Sequence, residues 1–508
     1  MRRAAGICLG AAFALWSVPA LARPCDAAAK ITHPDVRFDR LTEVSPERPL
    51  VVPLPGQPPL ATRFCRIEGT IEQEIGFELW LPEREAWNGR MLVGGVGGQA
   101  GAFNFRELER GVRRGYASAS TDTGHKASDR NWLLNRPDRA ANYAWRANHR
   151  LAEVSKALIR ATYGEAPRHS FFIGCSGGGR QALTAVQRFP NDFDGVIAGA
   201  PGVNTPAMSA RRLWEMQRHS QWGSLMPASA WQLVHHKATQ QCDGLDGVRD
   251  GVVDDPRQCR FDAASLLCRT GETGECLTAS QVEAVQTLTG PLTDEDDNRI
   301  DQGLLLTAPI SPVPLPEPFT PGPSYLATVL FAQGVHGDAN WDARQFNIAR
   351  DLPAIDRVMD LHADDPVIEP FVRRGGKLIL YQGWDDPLVA ALPTLDYYDS
   401  LERRFGTRLR KSARLFMAPG MDHCRGGSGP DLFGGAGGDA PLVDPDHDLL
   451  SALELWILQG KAPERIIATK QVDGATTRTR PLCVWPKRAV WGGRGSSDAA
   501  ENYRCIKG

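Results

Sequence analysis

The sequence is short of several things, and each shortage excludes a class of protein. Charge of one sign is not in excess, since 58 Lys and Arg stand against 60 Asp and Glu, a formal net charge of −2. That balance gives no electrostatic case for nucleic acid or an anionic membrane as partner. Past the N-terminus no run reaches the about 20 apolar residues that a membrane-spanning helix needs. None of the 11 cysteines forms a C-x-x-C pair, the usual spacing of a structural zinc site. No internal repeat marks a solenoid or a propeller. What is present is ordinary globular composition, 42% hydrophobic and 23% charged, on 508 residues, enough for a large core and more than one lobe.

The N-terminus reads as a secretory signal over residues 1–22. Arg2 and Arg3 precede a short apolar run, Ala4 to Trp16, and Ala20-Leu21-Ala22 is a cleavage site. The run is too short for an anchor, so the expected location is secreted or periplasmic. Cleavage after Ala22 removes two arginines, no acids and Cys8, leaving a net charge of −4 and ten cysteines. An even number in an exported chain predicts disulfides. Clustering along the chain pairs Cys25 with Cys65, Cys242 with Cys259, Cys268 with Cys276 and Cys483 with Cys505, which leaves Cys175 and Cys424 for each other.

The most telling stretch is Phe171-Phe172-Ile173-Gly174-Cys175-Ser176-Gly177-Gly178-Gly179-Arg180-Gln181. An apolar β run ends in G-x-S-x-G, and a helical pattern from Arg180 to Phe189 follows. This is a nucleophile elbow, a strained strand-to-helix turn that lifts a serine out of a sheet. Around it strands and helices alternate. Ile67–Ile75 and Phe77–Leu81 predict a strand pair, Met91–Gly98 and Tyr116–Thr123 further strands, Asn142–Tyr163 a helix and Asp194–Pro201 a buried strand. The alternation implies a mostly parallel sheet covered on both faces. Residues 24–64, rich in proline, read as an irregular strap. The rhythm fails from about Val203 to Phe371 and resumes with Lys377–Gly383 and Ala413–Gly420, so residues 204–370 read as an insertion between core segments 23–203 and 371–508. A helix over Asp446–Gln459 and a hook closed by Cys483–Cys505 end the chain, and Gly426–Gly438 reads as a long loop.

A serine hydroxyl needs a histidine to take its proton and a carboxylate to orient that histidine. In chain order the acid and then the base follow the serine. Of the histidines, only His423 and His447 follow the resumed strands. His447 lies at a helix start, where capping is the expected role, so His423 is the candidate base. Asp385 and Asp386, just after the strand Leu378–Tyr381, both qualify as the acid, and spacing does not choose between them. A Cys175–Cys424 bridge would tie residues beside the nucleophile and the base across 249 positions. The oxyanion hole would combine the Gly177 N–H with that of Gly97 or Gly98 in the glycine-rich loop after Met91–Val96, and Gly98 is favoured.

The pattern resembles the tannase/feruloyl esterase family of α/β-hydrolases, marked by a Cys-Ser, Asp, His-Cys arrangement. The likeness rests on Gly174-Cys175-Ser176-x-Gly178-Gly179-Arg180-Gln181, Gly383-x-x-Asp386-Pro387 and His423-Cys424. It implies an α/β-hydrolase fold with residues 204–370 as a lid domain, and Asp386 as the acid. Departures are Asp385 where a small residue is usual, Gln382 for a frequent histidine, and Gly177 where feruloyl esterases often carry threonine.

Between Cys242 and Val252 the chain places Asp243, Asp246 and Asp250 among glycines. By composition alone this is a solvated Asp/Gly turn. The resemblance implies instead a structural Ca²⁺ held by Asp243, Asp246, Asp250 and the carbonyls of Val248 and Val252. It also implies that the lid shapes a pocket for an aromatic acid, with Trp214, Trp222, Trp231, Phe319 and Trp341 as possible lining residues. The expectation is a secreted serine esterase of feruloyl, hydroxycinnamoyl or galloyl esters, with a small-molecule substrate and no organic cofactor. The alternatives are a terephthalate half-ester hydrolase or other arylesterase and, more distantly, a secreted peptidase or a catalytically silent binding protein of the same fold.

Overall fold

A computed structural model describes residues 23–221, 226–271, 274–309 and 323–507. The expected signal segment with Cys8, Trp222 and Phe319 lie outside the described residues. The core strands before the insertion are β1 (Val36–Val44), β2 (Phe64–Ile71), β3 (Ile75–Pro82), β4 (Arg90–Gly94), β5 (Ala117–Thr121), β6 (His169–Cys175) and β7 (Gly195–Gly199). A small hairpin, β8 (Leu292–Thr293) and β9 (Arg299–Asp301), lies inside the insertion, and β10 (Lys377–Gly383) and β11 (Ala413–Ala418) follow it. Nine strands form one sheet in the order β1-β2-β3-β5-β4-β6-β7-β10-β11. From β5 through β11 every pairing is parallel, while β1, β2, β3 and β5 pair antiparallel.

The period-2 alternation of a strand decides which layer each side chain joins. In β6, Phe172 packs with helices Ala147–Tyr163, Gly177–Arg188 and Ala391–Phe405 on one face. Phe171 and Ile173 pack with helix Leu449–Gln459 on the other. Both faces are covered, which is why β6, β7 and β10 read as continuous apolar runs. The described residues between β7 and β10 contribute no strand to this sheet. Among their described residues, Trp231, Val234, Leu277 and Val285 form one separate cluster. Leu213, Met216 and Phe331 share another with Trp132 and Tyr143 of the core segment.

Several expectations need correction. The strap holds a nine-residue strand, β1, whose antiparallel partner β2 overrides the surrounding prolines. The run to Ile75 is broken by a turn at residues 72–74, with Glu72 at φ 56°. The helix ending at Tyr163 begins at Pro137 and carries a π-helical turn, Asn142–Arg146. The elbow helix starts at Gly177 rather than Arg180. The last helix starts at Leu449 and is capped by Asp448, whose side chain accepts from the Ser451 N–H. His447 instead bonds Asp444 through Nδ1 at 2.8 Å. The C-terminal segment is built from two hairpins, β12 (Arg465–Val472) with β13 (Ala475–Cys483) and β14 (Lys487–Trp491) with β15 (Tyr503–Lys507). All five expected cysteine pairs are joined.

Candidate active site

β6 delivers Cys175 and stops, and Ser176 stands at φ 63° and ψ −124° before the helix begins. That backbone conformation is costly for any residue with a Cβ, so the surroundings must hold it. The flanking glycines make the close approach possible. A Cβ on Gly174 would meet the Gly178 carbonyl oxygen at 2.5 Å, and one on Gly179 would meet that of Gly199 at 2.3 Å. The Ser176 N–H donates to the Gly199 carbonyl at 2.9 Å, which locks the turn against β7.

At the end of β10, Asp386 is fully buried and meets His423 Nδ1 through Oδ2 at 2.8 Å. Asp386 Oδ1 accepts from the backbone N–H groups of Leu388 and Val389, each at 2.9 Å. Gln382, buried beneath, donates from Nε2 to Asp386 Oδ2 at 3.2 Å and to the Val389 carbonyl at 3.1 Å. Thr394 in turn donates its hydroxyl to Gln382 Oε1 at 3.0 Å, which fixes the amide's orientation. A glutamine thus takes the supporting place beneath the acid. Asp385 has a different task. It is buried, accepts from the Thr307 hydroxyl at 2.7 Å, and so ties the acid's loop to the insertion. Burial pushes the Asp385 carboxyl up to about 7, with the nearby Asp422 adding to the rise. Asp422, beside the histidine, is pushed up to about 6 by burial and by Asp386.

Cys175 and Cys424 are bonded with Cα atoms 6.0 Å apart, so the residues next to Ser176 and His423 are covalently joined. In the chain-entropy model a loop of 249 residues is worth about 5 kcal/mol to the folded state. Ser176 and His423 line one cavity of about 280 Å³ with Gly98, Gln99, Met208, Ser209, Arg212, Leu326, Ala327, Leu388 and Val389. Of the aromatic residues expected as lining, the described ones, Trp214, Trp231 and Trp341, do not line this cavity. Trp231 packs inside the insertion, Trp214 joins the cluster shared with the core segment, and Trp341 stacks on His336 at 4.6 Å. The described wall mixes small and aliphatic side chains with Gln99, Met208 and Arg212 instead.

The glycine-rich loop after β4 lies against the elbow. A Cβ on Gly177 would sit 3.3 Å from the Gly98 nitrogen, and one on Gly97 would sit 3.6 Å from Ser176 Cβ. Gly98 has φ +57° and lines the cavity. Two contacts that sequence reasoning did not read hold this loop. Gln181 grips Val96 from both sides, accepting from its N–H at 3.0 Å and donating to its carbonyl at 3.1 Å. Arg180, fully buried, donates to the carbonyls of Ala144 and Tyr143 at 2.7 and 3.0 Å. Those carbonyls belong to the π-helical turn, whose altered ladder suits an outside donor. The Tyr143 hydroxyl then donates to the Gly98 carbonyl at 2.8 Å. Only the quoted Arg180-Gln181 dipeptide hinted at these roles.

In the aspartate loop the three carboxylates turn largely toward their own backbone. Asp243 Oδ1 accepts from Asp250 and Gly251 N–H, Asp246 Oδ1 from Val248 N–H, and Asp250 Oδ1 from Val252 N–H. Asp250 Oδ2 pairs with Arg480 at 2.5 Å. Asp246 Oδ2 is buried with no partner. Burial raises the Asp246 pKa, and the charges of Asp250 and Asp243 raise it further. Among the described residues no three His, Cys, Asp or Glu side chains gather as a metal cluster. The one observation that fits a cation is the orphaned Asp246 oxygen.

The model of a family described as tannase and feruloyl esterase matches residues 60–307 and 325–506. An uncharacterized esterase of Xanthomonas campestris pv. campestris is 37% identical over 490 residues, covering 87% of this chain and 84% of that one. A probable feruloyl esterase B-1 of Aspergillus terreus is 32% identical over 460 residues, covering 87% and 86%. The crystal structure of feruloyl esterase B from Aspergillus oryzae superposes with a TM-score of 0.87 at 26% identity, covering 95% of this chain and 99% of that one.

Proposed function

The chain belongs to the tannase and feruloyl esterase family and is a carboxylic ester hydrolase, and from that premise we propose that it is an exported serine esterase acting on esters of aromatic acids. Ser176 attacks the ester carbonyl while His423 takes its proton. Asp386 holds the imidazole by Nδ1, keeping the other ring nitrogen for the serine. The N–H groups of Gly177 and Gly98 receive the charge that builds on the carbonyl oxygen. His423 then protonates the leaving alcohol, and water releases the acyl group by the same route. The observation that carries this reading is the 2.8 Å Asp386–His423 pair opening onto the same cavity as an elbow serine. Feruloyl, hydroxycinnamoyl and galloyl esters are the proposed substrates, on the strength of what the relatives are named for.

Residues 204–370 serve as the lid in this reading, since Met208, Ser209, Arg212, Leu326 and Ala327 come from them. Export is supported by five disulfides, and no helix among the described residues is long and apolar enough to cross a membrane. The aspartate loop would hold a structural Ca²⁺ through Asp243, Asp246, Asp250 and the carbonyls of Val248 and Val252, with a hard cation answering the orphaned Asp246 oxygen. The deciding experiment is Ser176→Ala assayed on methyl ferulate, methyl gallate and methyl benzoate. Loss of kcat by roughly 10⁶-fold is expected for a triad nucleophile, and unchanged hydrolysis would remove the mechanism.

A further inference from the structure

A second cavity, of about 370 Å³, lies where three parts of the chain meet. Among the described residues it shares none with the cavity at Ser176. Its floor is Trp384, just past β10, with Met417 and Pro419 at the end of β11. One wall belongs to the insertion and holds Asp254, Asp255, Arg257 and Gln258. The other comes from the C-terminal hairpins, with Trp485, Pro486, Lys487 and Arg488.

The two indoles meet edge to face, with ring centroids 6.2 Å apart. Trp384 is buried, whereas Trp485 is only half-buried and offers aromatic surface to the cavity. The Arg257 guanidinium lies over both rings, 5.2 Å from the Trp384 centroid and 4.8 Å from that of Trp485. Asp255 fixes it there, each carboxylate oxygen accepting from a guanidinium nitrogen at 2.8 Å. The other charges in the walls are matched in the same way. Asp254 Oδ1 accepts from Arg480 at 3.0 Å, and Lys487 donates to Glu464 at 2.8 Å. Gln258 donates from Nε2 to Asp255 at 3.2 Å. Matching of this kind leaves hydrogen-bonding capacity over, since an ammonium carries three donors, a guanidinium five, and an amide both donors and acceptors.

These walls exclude most ligand classes. An anion would lie beside Asp254 and Asp255, and a cation beside Arg257, Lys487 and Arg488. A wholly apolar molecule would strand the hydrogen-bonding groups away from water. What remains is neutral, rich in hydroxyls and apolar on one face. A sugar ring is such a molecule: its C–H groups form a face that lies on an indole, and each hydroxyl both donates and accepts. We propose that this cavity is a saccharide-binding site, separate from the catalytic cavity. The sugar face rests on Trp485, and its hydroxyls bond Arg257, Gln258 and Lys487. The volume falls within the range of about 300–1,000 Å³ typical of small-molecule sites. The site is independent of which ester Ser176 cleaves, so it stands or falls apart from the esterase reading.

The test is calorimetric titration of the full native chain with xylotetraose, cellotetraose, tetragalacturonate and benzoate. Saturable binding of a neutral tetrasaccharide, one per chain, is expected, with the two anions binding more weakly. Trp485→Ala should weaken that binding by about 30-fold, the loss expected of an aromatic hot spot. Gln258→Ala, at an exposed position where folding is not at stake, should weaken it by about 2- to 10-fold, the loss of one hydrogen bond. Hydrolysis of methyl ferulate by Gln258→Ala should match the native protein, since the two cavities share no described residue. Failure of both neutral sugars to bind would overturn the site, as would binding that survives both substitutions. Preference for tetragalacturonate or benzoate would overturn it too, by making the cavity an anion site.

Discussion

Two regions of this molecule hold carboxylates under cover, and they do so differently. At the end of β10, each oxygen of Asp386 is occupied by protein: two backbone N–H groups on Oδ1, His423 and Gln382 on Oδ2. In the loop Asp243–Val252, backbone N–H groups take one oxygen of each aspartate, Arg480 takes a second from Asp250, and Asp246 keeps a buried oxygen with nothing to accept from. An unpartnered buried carboxylate oxygen costs more than a hydrogen bond gains. The first region is complete as a protein structure. The second leaves one buried oxygen open, which the proposed Ca²⁺ would answer.

The sharpest way to break the contrast is to cut what completes the first region. Replacing both Cys175 and Cys424 by serine should cost about 5 kcal/mol of stability, read by denaturant unfolding, if the chain-entropy account holds. Esterase activity should fall more than the folded fraction does, and activity that simply tracked folding would show that the bridge positions nothing. Next comes the second region. Exhaustive chelation should lower Tm by the equivalent of about 3–4 kcal/mol for a site held at 100 to 1,000 times its Kd, with one metal per chain by elemental analysis beforehand. Asp246→Asn should abolish that response, and a Tm indifferent to chelator would sink the calcium proposal.

The effect that is smallest per step of the measurement, read as a slope against pH, sharpens the comparison from inside the first region. Asp385 is a buried carboxylate with a hydroxyl donor but no cation, and its folded pKa is about 7. Unfolded, it would titrate near 4. Between those values the folded state binds the extra proton, so rising pH withdraws stability, by up to about 1.4 kcal/mol per pH unit, until it levels off above pH 7. Asp385→Asn should flatten unfolding free energy against pH over that window. Parallel curves for variant and native protein would show that the Asp385 carboxyl does not carry this pH dependence.

How much of this was legible in the sequence depended on whether a signal was local. The elbow was legible because glycines, strand and helix sit side by side around Ser176. His423 was legible through Cys424. Asp385 and Asp386 were not separable by spacing, since adjacent residues leave a strand in opposite directions; family resemblance favoured Asp386, and it is the one that meets His423. Strand β1 was hidden by prolines on either side, because pairing with β2 is a tertiary fact. The β12–β13 hairpin carried a readable signal that went unread: Asp473-Gly474, both at positive φ, between β-prone runs. Of the aromatic rings offered as possible cavity lining, Trp214, Trp231 and Trp341 pack elsewhere. The described lining is shared among glycine, serine, aliphatic and polar side chains that no single-residue rule singles out. The support given by Gln181, Gln382 and Tyr143 depends on neighbours 85, 4 and 45 positions away in sequence, and only the second is local.

The path from Arg180 through the π-helical turn to the Gly98 carbonyl has a mechanical consequence. Gly177 opens the very helix that carries Arg180, so both N–H groups proposed to receive the oxyanion hang from one beam. A shift of that helix would therefore carry the two together rather than apart, through contacts that run from Arg180 to Tyr143 and on to Gly98.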